Sequence, residues 1–173
     1  MIKVSNRDYI IPIKGMSIGK HSFEFTIDNS FFEEYENRDI LGADFKVSLE
    51  IERSTLLLEV KAVIDGVVRT ECDRCLEELE QMLETEAKLI VKFVKTVQEE
   101  DNEEVLTLDP NESELNLKQF LYDYICLALP IQRVHNEGDC NPEMIKKLGA
   151  YNRSPVPGEE PGSLFGKLRD LLN

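Results

Sequence analysis

The chain has 173 residues, 42% of them hydrophobic and 31% charged, which is enough for one ordinary domain with a small appendage. No run approaches the roughly 20 apolar residues that a membrane span requires, and Met1-Ile2-Lys3-Val4-Ser5-Asn6-Arg7-Asp8 lacks the apolar heart of a secretory signal. Thirty-four acidic residues against twenty basic ones give a net charge of −14, which disfavours direct nucleic-acid binding because phosphate binders need a basic face.

In chain order, Tyr9-Ile10-Ile11-Pro12-Ile13 reads as a short strand, with Pro12 suggesting an edge position. Gly15 and Gly19 bracket a turn. His21, Phe23, Phe25 and Ile27 then alternate with Ser22, Glu24, Thr26 and Asp28, a second strand in which His21 is a packed or edge residue rather than a ligand. Asp28-Asn29-Ser30 caps one or two helical turns over Phe31 to Tyr35. Phe45, Val47, Leu49 and Ile51 alternate with polar residues, which predicts a half-buried antiparallel strand. After a turn at Arg53-Ser54-Thr55, Leu56, Leu58, Val60, Ala62 and Ile64 continue the period of two. Asp65-Gly66 carries a hairpin signal, so Val67 to Glu71 is expected to be a third strand running straight into Cys72-Asp73-Arg74-Cys75.

Residues 80–94 fit two periods. Leu79, Leu83, Ala87, Leu89, Val91 and Phe93 suit a strand, while the Glu-rich composition suits a helix. The β-branched tail and the preceding meander favour the strand. Gln98 to Glu104 is an acidic run without apolar period, a loop or linker whose other reading is a contact to a basic partner. Asn116 and Gln119 form a capping box for a helix buried through Leu117, Phe120, Leu121, Tyr124, Ile125 and Ala128 and ended by Pro130. Cys126 points off that stripe. From Tyr151 a Pro/Gly linker over 151–162 leads to a short amphipathic helix over 163–173, which either docks on its own domain or lies in a partner's groove. The predicted fold class is α+β: an antiparallel β-meander or curled sheet with one packed central helix within residues 1–150, then the short C-terminal helix.

Four cysteines, two of them in a C-x-x-C pair, fit a reducing compartment, and the chain reads as cytoplasmic. Two thiols separated by two residues can wrap one ion. His135 and Cys140 have the spacing of a second half-site, so Cys72, Cys75, His135 and Cys140 are the candidate ligands of a structural zinc ion. Two other readings stay open, small buried cysteines and a thiol redox pair.

Cys72-Asp73-Arg74-Cys75-Leu76 after a strand, Leu127-Ala128-Leu129-Pro130 closing a helix, His135 and Cys140 beyond it, and a terminal Leu/Phe helix together resemble the YceD-like family of bacteria and plastids. That family is named for large ribosomal RNA subunit accumulation. The resemblance runs in order from about residue 40 to the C-terminus. It implies a role in synthesis, processing or stability of large-subunit ribosomal RNA, without an established chemical activity. The family gene often neighbours that of a small large-subunit ribosomal protein, which suggests a protein partner. Many members carry a second Cys pair near Cys140, where this chain has His135 and Cys140.

The expected function is therefore a non-catalytic ribosome-biogenesis factor. It would bind a basic ribosomal protein or large-subunit assembly intermediate through an acidic surface. The alternative is a thiol redox protein using Cys72 and Cys75. No carboxylate pair stands beside a phosphate-binding loop, so an RNA-modifying or nuclease activity has no motif to rest on.

Overall fold

Strict alternation along three long segments dictates the architecture, because a sheet with one buried face selects apolar side chains at every second residue. The computed structural model describes residues 9–35, 37–94 and 105–151. The acidic run over 98–104 and the C-terminal helix over 163–173 lie outside the described residues, as does the linker beyond residue 151. The elements are β1 (Ile10–Pro12), β2 (Gly19–Ile27), α1 (Asn29–Glu33), β3 (Gly42–Arg53), β4 (Leu57–Glu71), β5 (Glu78–Phe93), β6 (Val105–Leu108), β7 (Glu114–Asn116), α2 (Lys118–Ala128) and α3 (Pro142–Tyr151). The fold is α+β. Five strands form a sheet in the order β2-β3-β4-β5-β6, antiparallel except for the last pair, and β1 pairs with β7 in a separate two-stranded sheet.

The segment expected at 80–94 is strand, as β5 from Glu78 to Phe93, with Leu79, Leu83, Ala87, Leu89 and Val91 buried at odd positions. All of these but Leu79 meet Phe45, Val47, Leu49 and Ile51 of β3 and Leu58, Val60, Ala62 and Ile64 of β4 in one core. Leu56, read as part of that alternation, instead lies in the turn before β4 and is 76% exposed. α2 closes the core over β5 through Leu121 and Ile125. An aromatic group joins the N-terminal segment, the α1 region and α2, with Tyr9 edge-on to Phe31 at 4.8 Å and Tyr35 stacked on Tyr122 at 3.8 Å. Asp28 caps α1 by accepting the Ser30 backbone N–H at 3.0 Å. The cap expected at Asn116 falls instead on Leu117, which makes no side-chain cap hydrogen bond. Asn116 accepts the Lys118 N–H at 2.9 Å from one residue further out, and Gln119 donates to Asp123 rather than completing a box.

The hairpin expected at Asp65-Gly66 does not form. β4 runs unbroken for 15 residues, and Gly66 pairs with Phe45 in the middle of the β3–β4 ladder. Here glycine serves close approach rather than a turn. A Cβ at Gly66 would lie 2.1 Å from the Asp44 carbonyl oxygen and 2.7 Å from the Phe45 Cα. The true return is at Cys72–Glu77, where β4 hands over to β5. This places the C-x-x-C at the tip of the longest strand pair in the molecule.

α3 is an element that apolar periodicity alone does not announce, because Lys146, Lys147 and Gly149 dilute its stripe. Its start is nevertheless legible in chemistry: Asn141 Oδ1 accepts the backbone N–H groups of Glu143 and Met144 at 2.9 and 3.4 Å, and Pro142 and Glu143 follow in the first turn. Gly66→Ala is expected to destabilise the protein by about 1–3 kcal/mol, since the obstructing atoms are backbone. A lowered chemical-denaturation midpoint at unchanged slope checks this.

Candidate metal centre

The strand pair β4–β5 ends in a knuckle. The backbone N–H of Leu76 reaches the Cys72 carbonyl at 2.9 Å, and the Cys72 N–H reaches the Glu77 carbonyl at 2.8 Å. Leu76 closes this turn with φ at +61°, a left-handed conformation that glycine adopts at no steric cost and leucine does not.

A second segment is tied against the knuckle from 60 residues further along. The Asp73 N–H donates to the Arg133 carbonyl at 2.7 Å, and the Arg133 N–H returns to Asp73 Oδ2 at 2.7 Å. The Arg133 guanidinium lies 3.3 Å from Asp73 and 3.5 Å from Asp39. Arg74 donates to the His135 carbonyl, and Asn141 Nδ2 donates to Glu77 Oε1 at 2.6 Å.

These ties bring all four candidate ligands together. Cys72, Cys75, His135 and Cys140 each turn one donor atom inward, and those atoms lie within 4.8 Å of one another. Cys72 and Cys140 Sγ are 3.8 Å apart, Cys75 Sγ is 3.4 Å from His135 Nδ1, and Cys140 Sγ is 3.9 Å from it. A tetrahedral zinc site with ordinary bond lengths has S–S edges of about 3.8 Å and S–N edges of about 3.6 Å, so the donor set fits such an ion. His135 Nε2 lies 3.1 Å from the Glu78 carbonyl oxygen. A carbonyl can only accept, so Nε2 carries the proton and Nδ1 presents its lone pair to the cluster, the outer-sphere arrangement metal-bound histidines use.

Burial raises the Cys72 thiol, yet backbone hydrogen bonds from Cys75, His135 and Arg74 outweigh it and bring the thiol down to about 5. Cys140 is pushed up, first by burial and then by its hydrogen bonds with Cys72 and Cys75. His135 is raised, chiefly by its hydrogen bond with Cys72. Without a metal, then, the cluster concentrates its negative charge on one sulfur and resists ionising the next. A divalent cation removes that resistance.

Cys126 stands apart, its sulfur 3.6 Å from Asn37 Nδ2 and its thiol raised by burial. His21 is also outside the cluster, with Nε2 2.8 Å from the Ser17 carbonyl oxygen. The cysteines pack with Leu79, Val134 and Met144 in a small apolar group separate from the main core. The supporting Asp73, Arg74, Glu78 and Arg133 carry no local sequence signal, because their partners lie about sixty positions away; only Asp73 and Arg74 are marked, by standing inside the C-x-x-C.

Fold and cluster together define a small α+β protein with a three-cysteine, one-histidine donor set at the end of its sheet. Among the described residues, no helix is long and apolar enough to cross a membrane. The chain belongs to the YceD family, described as large ribosomal RNA subunit accumulation protein, whose family model matches residues 60–172. Family membership carries a role in accumulation of large-subunit ribosomal RNA. No curated protein and no solved structure matches the chain.

Leu76 is 62% exposed, so replacing it sacrifices little burial and relieves the left-handed strain. Leu76→Gly is expected to raise stability by about 1 kcal/mol, read as a higher denaturation midpoint. A fall would show that the Leu76 side chain contributes more than its backbone conformation costs.

Proposed function

We propose that this protein is a non-catalytic, cytoplasmic ribosome-biogenesis factor. It supports synthesis, processing or stability of large-subunit ribosomal RNA by binding a basic ribosomal protein or an assembly intermediate. The observation that carries the partner class is the net charge of −14 in a member of this family. Such a surface attracts cationic polypeptide and repels bare phosphodiester. Basic ribosomal proteins are therefore its natural counterpart.

The Cys72, Cys75, His135 and Cys140 cluster holds a structural zinc ion in this reading. Four protein donors close the coordination shell, leaving no position for a reacting water, which suits a structural role and not a hydrolytic one. When bound, the ion cross-links the β4–β5 tip to the segment leading into α3. Thiol redox chemistry at Cys72 and Cys75 is less well supported. Such pairs open a helix whose dipole activates the first thiol, whereas Cys75 leads through Leu76 and Glu77 into strand β5.

Freshly purified protein is expected to contain stoichiometric zinc. Cys72→Ser should lose both the zinc and the stability its binding contributes, about 4 kcal/mol where free zinc stands a thousandfold above its dissociation constant. A variant that keeps full stability and stoichiometric zinc overturns this ligand set. For the biological role, tagged protein is expected to co-sediment with large-subunit precursors and to leave them as salt rises. A protein that neither sediments with ribosomal particles nor binds any ribosomal protein is something else.

A further inference from the structure

The face of β3, β4 and β5 opposite the core stands open to solvent. Every even position of β5 from Glu78 to Lys88 and every odd position of β4 from Glu59 to Asp65 is exposed. Two large apolar side chains stand in water near its middle, Met82 at 82% exposure and Val63 at 41%. Glu80 and Glu84 flank Met82 along β5, while Val63 stands between Lys61 and Asp65 on β4. Val63 pairs with Glu86, Asp65 pairs with Glu84, and Val67 lies between Met82 on one side and Asp44 on the other.

Asp65 and Glu84 are like charges directly across an antiparallel pair, an arrangement that destabilises a sheet. Lys46, on the other side of Asp65, is the one cation of these three rows. Lys20 pairs with Glu50 and Glu52 at the other end of this face, and the rows that flank these three carry Lys61 with Lys88 on one side and Arg69 with Glu80 on the other. A sheet that only had to be soluble would not need an acidic pair, only one of whose members has a cation across from it, on the same face as an exposed methionine. Cations supplied from outside relieve the first, and a flexible, polarisable thioether adapts to an apolar visitor.

We propose that this patch is the docking surface for a segment of a basic ribosomal protein. The segment lays lysine or arginine side chains among Asp44, Asp65, Glu84 and Glu86 and seats separate apolar side chains on Met82 and on Val63, which lie four strand positions apart. The proposal rests on the partner class put forward above and gives it an address. Nucleic acid and a second copy of this chain both bring the wrong sign of charge.

The probe is the set of large-subunit proteins stripped by salt from purified subunits, applied at low ionic strength to the immobilised full chain. Wild type is expected to retain basic proteins and release them as salt rises. Glu84→Lys/Glu86→Lys is expected to weaken retention about tenfold or more. Glu112→Lys/Glu114→Lys, with the same change in net charge on exposed residues outside this face, should retain as wild type does.

Glu84→Lys alone turns the like pair with Asp65 into an opposite pair. Its thermal midpoint should rise by about 1–3 °C while retention falls, a divergence that mere unfolding cannot produce. Equal loss in the two double variants, or full retention by Glu84→Lys/Glu86→Lys, overturns the docking surface and leaves the basic-partner reading standing. Wild type that retains none of these proteins also overturns it. Whether the biogenesis reading falls as well is read separately, from sedimentation with large-subunit precursors.

Discussion

Three sulfurs and an imidazole nitrogen crowded at one end of a sheet are the constraint around which the second half of the chain is organised. Thiolates this close repel one another, and burial removes the water that would screen them. The fold answers with fixed donors. Backbone N–H groups of the knuckle favour the anion on Cys72, and the Glu78 carbonyl sets the tautomer of His135. What remains is a pocket whose charge calls for a cation. Few apolar residues surround it, so the segment from Arg133 to α3 is held by polar ties and by the donor cluster more than by hydrophobic burial.

The knuckle can be positioned because the strands beneath it are long and their register is over-determined. β4 and β5 pair from Leu57 with Lys92 to Glu71 with Glu78, and most alternate residues on the inner face are apolar, with Thr70, Gln81 and Thr85 the polar members. A slip of one residue would put that entire set into water. Gly66 contributes to the same rigidity from the β3 side, by letting the Asp44 and Phe45 backbone approach where any side chain would hold it off. The main core and the cluster are thus joined through a stiff ribbon rather than through a loop.

Much of this was legible in the amino-acid order, for reasons that differ from one element to the next. Alternation at 45–51 and 58–64 announces strands because one face of each is buried and the other wet. The same period decided residues 80–94 against their helical propensity, since tertiary burial outweighs composition. Cysteine and histidine at metal spacing point to one another because few other roles call for those types at those intervals. Asp65-Gly66 misled because a glycine required by close backbone approach looks, locally, like one required by a turn. β6, β7 and their pairings are too short to carry a period of their own. The Asp73–Arg133 exchange is a contact between distant segments that neither segment encodes alone.

Asn141, the cap of α3, follows Cys140 without a spacer. The last donor of the cluster is therefore also the point from which everything downstream departs. With an ion in place, α3 would start from one fixed anchorage. Once it is stripped, the direction of that departure rests on the polar ties of the knuckle alone. Metal exchange would then act on the seating of α3, coupling a coordination event to the setting of a whole helix against the sheet end.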